Sequence, residues 1–330
     1  MHIVTEAAAI ASVSIGDAIA AIEEGFAVLA RGEASLFAPV FGHGVDPGSR
    51  FSIKSALDRS TATPGVKVGT YWAANPRLGL RAHGSTTLLL DDDTGRPRAL
   101  VSATHLNALR TAAADAVAVK FLSRPEASTV AIIGAGAQAW WDLAAVRFVR
   151  PVKEVRVWSR DAAKAVAFTD RVRARGLQAM ACERQAAVAG ADIVITATAS
   201  REPLVQADWV SPGTHISAMG ADGPGKRELA SDLLQRGRLV ADWPEQALRL
   251  GEFQHVTRRG GAPQREIVAL GDVIVGAAVG RAHAEEVTVF DSSGVAIQDL
   301  AVANLALARA LALGLTQTVD LYDAPEHGAD

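Results

Sequence analysis

A short β-branched run, Thr129-Val130-Ala131-Ile132-Ile133, meets Gly134-Ala135-Gly136-Ala137-Gln138-Ala139 and continues as Trp140-Trp141-Asp142-Leu143-Ala144-Ala145-Val146. Nothing else in the chain restricts the fold as strongly. The apolar run predicts a strand, the glycines a tight turn, and the following spacing a helix. In such a unit the first glycine lets the backbone reverse. The second admits a pyrophosphate where a Cβ would stand, and a small residue at Ala139 lets helix and strand pack closely. The N–H groups at the helix start, at the positive end of its dipole, then face the phosphates. Glycine-rich strand ends also occur in purely structural turns, but here the flanks on both sides fit dinucleotide binding.

The alternation continues past this unit. Residues 154–158 read as a strand, 161–175 as a helix, Ala189 as the close of another helix, and 192–196 as a fully buried strand. Residues 212–220, 238–242 and 287–291 add three more strands. Strands separated by helices of this length predict a parallel, doubly wound sheet. Ligands of such sheets lie beyond the carboxyl ends of the strands, where Gly134, Ser159, Thr198, Gly220 and Ser292 fall. The second strand runs into Trp158-Ser159-Arg160-Asp161. A carboxylate there suits the ribose 2′-hydroxyl of NAD, and a cation suits the 2′-phosphate of NADP. Ser159 and Arg160 tilt the expectation towards NADP(H), with Asp161 as the opposing feature.

The first hundred residues follow a different pattern. Ile15, Ile19, Ile22, Phe26 and Leu29 recur at helical spacing, which predicts an amphipathic helix over 14–31 ending at Gly32. Over 35–68, Pro39, Gly42, Gly44 and Pro64 punctuate short apolar runs, as in a curved antiparallel sheet. In Val66-Lys67-Val68 the lysine faces away from its apolar neighbours, so this segment alone predicts a solvated sheet lysine. Residues 86–90 and 97–101 read as partner strands around Asp91-Asp92-Asp93-Thr94-Gly95, a composition that fits a turn better than a metal site. An alanine-rich helix over 106–120 carries Arg110 near its start, where composition predicts an exposed side chain. The last helix, 298–313, puts Ala301, Leu305, Ala308 and Ala312 on one face, returns to the N-terminal part, and stops at Gly314.

Composition narrows the partners. At 330 residues and 49% apolar content the chain has material for about two domains. A net charge of −3 with interspersed signs argues against a nucleic-acid or membrane-surface partner. The single Cys182 leaves no intrachain disulfide and no cysteine-based metal cluster, and a reducing, cytoplasmic setting is expected. The start, Met1-His2-Ile3-Val4-Thr5-Glu6, lacks the basic region of a signal peptide. Eight histidines without a His-x-x-x-His pair give no metal expectation, and Ser292-Ser293-Gly294 lacks the context of a nucleophile elbow.

Two separated stretches, Leu109-Arg110-Thr111-Ala112-Ala113-Ala114 and Met219-Gly220-Ala221-Asp222-Gly223-Pro224-Gly225-Lys226-Arg227-Glu228-Leu229, closely resemble the ornithine cyclodeaminase/μ-crystallin family. The resemblance covers nearly the whole chain, with 134–138 and 290–299 in the expected order. Within the family the chain is most similar to the imine-reducing branch that includes iminosuccinate reductase, through Gly69-Thr70-Tyr71-Trp72, Gly251-Glu252-Phe253-Gln254-His255 and 294–299. The resemblance implies an α/β fold in which a doubly wound parallel Rossmann domain, 121–299, is inserted into a smaller α+β substrate-binding and dimerisation domain, 1–120 plus 300–330. A homodimer is expected with it.

The same resemblance implies roles for individual residues. Lys67 and Arg110 match the cations that hold a substrate α-carboxylate, and Asp222 matches the acid/base beside the amino or imino nitrogen. Thr111, Gly134, Ala135, Gly136, Ala137, Gln138, Thr198, Met219, Gly220, Lys226 and Ser292 match positions lining the dinucleotide, which Arg110 also borders. Ser293 and Gly294 fall on the substrate side. His83 joins them because Gly84-Ser85-Thr86 follows it. Many relatives carry a further arginine where this chain reads Phe37-Ala38-Pro39-Val40, and Lys54, His43, Arg77 and Arg81 are the candidate substitutes. Two cations pinning a carboxylate and one carboxylate keeping an imine protonated suit hydride transfer at an α-carbon. Read without the resemblance, Asp222 ahead of Pro224 fits a helix N-cap better than a catalytic role. The implied activity is NAD(P)H-dependent reduction of an α-imino acid, iminosuccinate to aspartate first. The alternatives are ornithine cyclodeamination, in which the hydride returns to the substrate, and a non-catalytic NADPH or small-ligand binding protein.

Overall fold

The apolar run 129–133 lies inside a parallel sheet in the computed structural model, which describes residues 1–46, 48–256 and 265–322. In chain order the first elements are β1 (His2–Val4), α1 (Glu6–Ser12), α2 (Ile15–Ala30), β2 (Ala34–Leu36), β3 (Val40–His43), β4 (Arg50–Asp58), β5 (Thr63–Tyr71), β6 (His83–Leu90), β7 (Pro97–Ser102) and α3 (Thr104–Leu122). Then come β8 (Thr129–Ile133), α4 (Ala137–Val149), β9 (Glu154–Trp158), α5 (Ala162–Arg173), β10 (Gln178–Ala181), α6 (Arg184–Val188), β11 (Ile193–Thr196), β12 (Arg201–Val205), β13 (His215–Ala218) and β14 (Arg227–Leu229). The chain closes with α7 (Ser231–Arg236), β15 (Arg238–Ala241), α8 (Pro244–Leu250), β16 (Ile267–Ala269), α9 (Leu270–Ile274), β17 (Thr288–Asp291), α10 (Ala296–Ala312) and β18 (Gln317–Thr318).

The chain divides into two units: Met1–Ser14 with Gly32–Asn107 and Ala296–Asp330, and Ile15–Arg31 with Ala108–Val295. These borders differ from 1–120 plus 300–330 and 121–299. Helix α2 falls in the second unit because it packs on α9, where Gly271 lets the helices approach so closely that a Cβ would stand 2.5 Å from the Phe26 carbonyl. Among the described residues no helix is long and apolar enough to cross a membrane.

The second unit is built on the sheet β10-β9-β8-β11-β13-β17-β15-β16, every pair of which is parallel. Its central strands β8 and β11 read as nearly unbroken apolar runs, as expected where both faces of a parallel sheet are covered. Val130, Ala131, Ile132 and Ile133 are fully buried, as are Ile193, Val194 and Ile195. Each such isoleucine or valine contributes about 1.5–3 kcal/mol by leaving water. Strand order reverses between β8 and β11, the point where a doubly wound sheet opens a crevice at its carboxyl edge.

The first unit is a mainly antiparallel sheet, β18-β1-β7-β6-β5-β4-β2, with β3 added to β4. Asp91 closes the β6–β7 turn by accepting from Thr94 N and Oγ1 at 2.9 and 2.6 Å, with Gly95 at φ +67°. Helix α10 packs on one face of the sheet, and it seats at Gly65, where a Cβ would stand 2.5 Å from Leu300 Cδ2. Its buried side is Leu300, Ala303, Ala306, Leu307 and Ala310, whereas Ala308 and Ala312 are exposed and Ala301 and Leu305 only half-buried. The face predicted from Ala301, Leu305, Ala308 and Ala312 is therefore the wrong one. Alanine recurs on every side of this helix, so spacing gives no contrast.

Lys67 also departs from expectation. It is 4% exposed, and it is its neighbour Val68 that faces outwards. A lysine buried this deeply needs a countercharge, and α10 supplies one: Nζ donates to Asp299 and to Asn107 at 2.8 and 2.9 Å. Removing one member of a buried pair leaves the other charge uncompensated, at a cost of about 3 kcal/mol or more. Asp299→Ala is therefore expected to lower the denaturation midpoint markedly, and Asp299→Ala combined with Lys67→Met to recover much of the loss. Equal midpoints for the single and double variants in chemical denaturation would show that the pair carries no such coupling.

Candidate active site

The glycine turn has two glycines with different reasons to be there. Gly134 has φ +114°, and a Cβ on it would meet Ala197 O at 2.7 Å and Thr198 Cγ2 at 2.9 Å. Backbone conformation and packing both demand it. Gly136 is the N-cap of α4, and a Cβ there would meet nothing within 4 Å. The start of a 13-residue helix thus opens onto unfilled space beside exposed Gly136 and Ala137 and half-buried Ala135. Ser292, just past β17, has a buried Oγ without a hydrogen-bond partner among the described residues. An open helix start, a glycine edge and an orphaned hydroxyl along one sheet edge fit a dinucleotide.

Other residues expected at the dinucleotide have partners of their own. Gln138 Nε2 donates to Asp142 at 2.6 Å and to Ala108 O at 3.4 Å, so its amide braces α4 against α3. Asp161 caps α5, accepting from Ala163 N and Lys164 N at 3.1 and 3.4 Å, which ties it to the helix start. Ser159 is half-buried and Arg160 exposed immediately after β9. Met219 is buried after β13, and its N–H continues the ladder to Thr196 O at 2.8 Å.

Beyond the last rungs of the sheet, buried carboxylates receive the backbone N–H groups. Glu228 accepts from Thr198 N, Thr198 Oγ1 and Thr196 Oγ1, each at 2.7 Å, and from Gly220 N at 3.0 Å. Glu252 accepts from Glu228 N at 2.9 Å and Leu229 N at 2.8 Å. Asp291 accepts from Phe253 N at 2.8 Å, and Asp242 from Gly294 N at 2.5 Å and Ser293 Oγ at 2.8 Å. Burial pushes the Glu252 carboxyl up to about 8, against the pull of the Leu229 N–H, and likewise raises Glu228 and Asp291. Sequence pattern gives none of these four acids a role, although Glu228, Glu252 and Asp291 lie in stretches that carry the family resemblance. The available signal is a carboxylate closing an apolar strand, as in Val289-Phe290-Asp291 and Val240-Ala241-Asp242.

Asp222 sits in the turn between β13 and β14. The N-cap reading fails, because no helix follows and Gly225, at φ +72°, turns the chain into β14. The carboxylate is 61% exposed and pairs with Lys226, whose ammonium also donates to Gly220 O at 3.2 Å. Gln254 Oε1 accepts from Gly225 N at 2.7 Å, its Nε2 donates to Gly223 O at 3.2 Å, and His255 Nε2 hydrogen-bonds Lys226 O at 2.8 Å. The stretch 251–255 thus holds the turn that presents Asp222.

Arg110 is 7% exposed, not solvated: α3 is lined by fully packed alanines, and the guanidinium lies over Gly294, where a Cβ would be 2.8 Å from Nη1. Gly294 has φ +73° and leaves that space to the arginine. Ser293 Oγ is engaged by Asp242, and it accepts from Gln246 Nε2 at 2.9 Å. Thr111 follows Arg110, half-buried.

In the first unit the strand register places a polar set beside Lys67. Lys54 stands directly opposite Lys67 across β4–β5, Ser52 and Ser85 flank Gly69, and Arg50 and His83 flank Tyr71, all on one face. The His83 and Tyr71 rings lie 4.8 Å apart, and Arg50 stacks 5.1 Å from the Tyr71 ring centre. Of the candidate substitutes for the missing arginine, Arg81 is 68% exposed and pairs with Glu6 at 2.6 Å, Arg77 lies in the 3-10 turn Asn75–Leu78, and His43 sits opposite Arg50. Lys54 alone of these four faces Lys67. Two ammonium groups directly opposed repel one another, and Asp299 offsets that for Lys67.

The profile of the ornithine cyclodeaminase/mu-crystallin family matches residues 2–313. The iminosuccinate reductase of Paracoccus denitrificans is 37% identical over 307 residues, 92% of this chain and 95% of that protein. Its solved structure in complex with NAD+ has a TM-score of 0.92 and 36% identity, covering 97% and 99% of the two chains. The alanine dehydrogenase of Archaeoglobus fulgidus is 35% identical over 311 residues, 94% of this chain and 95% of that protein. A solved archaeal alanine dehydrogenase, a dimer with bound NAD, has a TM-score of 0.92 and 34% identity over 98% of this chain and all of its own.

Gly134→Ala is expected to lower the melting temperature by several degrees, since about 1–3 kcal/mol of strain accompanies a side chain forced into that conformation. Gly136→Ala is expected to leave the melting temperature unchanged while weakening dinucleotide binding in a fluorescence titration, and equal melting losses would contradict the distinction. A carboxyl raised by folding gives stability that is present below its unfolded pKa and lost as pH rises through its folded pKa. For Glu252 that window runs from its ordinary range up to about 8. Across it, melts of the wild type should fall with pH and those of Glu252→Gln should fall less steeply; parallel curves would remove Glu252 from the titration.

Proposed function

Because the chain belongs to the ornithine cyclodeaminase/mu-crystallin family, we propose that it reduces an α-imino acid to an amino acid with NAD(P)H, iminosuccinate to aspartate being the first candidate. The observation that carries this reading is the cationic face of the first unit, where Lys54 opposes Lys67 directly. Lys67 and Arg110 hold the α-carboxylate through charge-assisted hydrogen bonds, and Lys54 takes a second carboxylate on the side chain. Asp222 keeps the imine nitrogen protonated, which makes the α-carbon electrophilic, and then exchanges a proton with the amine. Gly134, Gly136, Thr198, Gly220 and Ser292 hold the dinucleotide, which when bound supplies the hydride. Pinning the carboxylate fixes which carbon is presented and from which side.

Cofactor choice and assembly belong to the same reading. Arg160, exposed beyond β9, favours a 2′-phosphate, and Asp161 is drawn to the start of α5. The solved relatives contain NAD, so both forms are to be tested. The sheet face turned away from α10 carries half-exposed Ile53, Leu57, Val66, Leu88 and Leu100. A homodimer covering it fits that apolar surface. The cyclodeaminase reading is disfavoured by Lys54, which would repel the side-chain ammonium of ornithine.

The test is a screen of 2-oxo acids with ammonia, following NADH and NADPH absorbance separately. Oxaloacetate with ammonia is expected to consume cofactor stoichiometrically and faster than pyruvate. Lys54→Ala should reduce that preference by about tenfold or more, and Asp222→Asn should lower kcat by about a hundredfold or more with cofactor affinity retained. Proline formed from ornithine without net cofactor oxidation, and no turnover of any 2-oxo acid, would replace this reading with cyclodeamination.

A further inference from the structure

We propose that Glu228 is a positioning residue for the dinucleotide, bridging the two chain segments that leave β11 and β13. The proposal rests on the dinucleotide reading above and adds a residue to it. The ladder between β11 and β13 ends at the pair Thr196 and Ala218. Past that rung the Thr198 and Gly220 N–H groups turn to one carboxylate instead: Glu228 Oε1 accepts from Thr198 N and Thr198 Oγ1, and Oε2 from Gly220 N and Thr196 Oγ1. The side chain is fully buried, and its own N–H is held by Glu252 at 2.9 Å.

The bridge is tightly packed towards the site. A Cβ on Gly220 would stand 2.3 Å from Thr198 O and 2.6 Å from Glu228 Oε2, so only glycine lets these strands approach the carboxylate. Thr198 in turn places Cγ2 against Gly134, whose own Cβ would come within 2.9 Å of it. A displacement of Glu228 is therefore passed to Thr198, to the glycine turn and to Gly220, three of the positions that border the dinucleotide.

The carboxylate is also chemically specific. Each oxygen faces a backbone N–H, which cannot turn round to accept. An amide at this position must point its NH2 at either Thr198 N or Gly220 N, opposing one backbone donor whichever way it is flipped, while the threonine hydroxyls can rotate to accept. Glu228→Gln, nearly identical in shape, should thus push the two segments apart. Thr196→Val removes one hydrogen bond to the same carboxylate but leaves both N–H groups paired, and it serves as the control for general loss of stability.

The experiment titrates NADH and NADPH into the purified full-length variants by fluorescence, alongside thermal melts and steady-state kinetics. Glu228→Gln is expected to weaken dinucleotide binding by about tenfold or more and raise the cofactor KM while the substrate KM stays near that of the wild type. Thr196→Val should melt earlier yet bind within about twofold of the wild type. Should Glu228→Gln not fold, Glu228→Asp, which keeps both acceptors at shorter reach, is expected to show the same cofactor-selective loss. Unchanged binding in whichever Glu228 variant folds, or losses in the two positions that merely track melting temperature, would overturn the proposal. A wild type that binds neither NADH nor NADPH would instead defeat the dinucleotide reading, and the role of Glu228 with it.

Discussion

Where the strands of a parallel sheet end, their backbone N–H groups lose ladder partners, and here buried carboxylates take the place of water. Glu228 and Asp242 accept from N–H groups of the segments that leave β11, β13 and β17, while Glu252 accepts from β14 and Asp291 from the turn at Phe253. An N–H left unsatisfied in such a place costs about 1–3 kcal/mol, and a carboxylate accepting several of them is itself stabilised against burial. The arrangement fixes loops without regular structure of their own. Those loops carry Thr198, Gly220, Asp222, Ser293 and Gly294, so the rigidity of the edge and the placement of the chemistry have one cause.

The first unit treats charge the other way. It buries an ammonium, Lys67, and answers it with Asp299 from α10. A second lysine directly opposite makes that face of the sheet a place where an anion is welcome and a further cation is not. In the proposed reading, substrate selection by charge and retention of the fold therefore meet at one residue. Lys67 needs Asp299 to be buried at all.

Much of this was legible in the sequence, and the exceptions have identifiable physics. The strand, glycine turn and helix at 129–146 are set by contacts between near neighbours, so pattern alone suffices. The burial of Lys67 is decided by Asp299, 232 residues away, and no local alternation reports that. Arg110 looks like a surface residue because its alanine neighbours give no amphipathic contrast. Asp222 looks like a cap because Pro224 follows it, yet Gly225 in the left-handed region breaks the helix before it begins. Sequence pattern gives the four buried acids no role because their partners are backbone groups, which have no sequence signature.

The central claim is that this chain carries hydride to the α-carbon of an amino acid from a nicotinamide held at the carboxyl edge of the parallel sheet. NADH or NADPH carrying deuterium at the transferable position of the ring, supplied with oxaloacetate and ammonia, tests it in one measurement by mass spectrometry of the product. The account predicts aspartate with one deuterium at the α-carbon, in amount equal to the cofactor oxidised. Aspartate without deuterium, or cofactor that stays labelled while substrate is consumed, would contradict it.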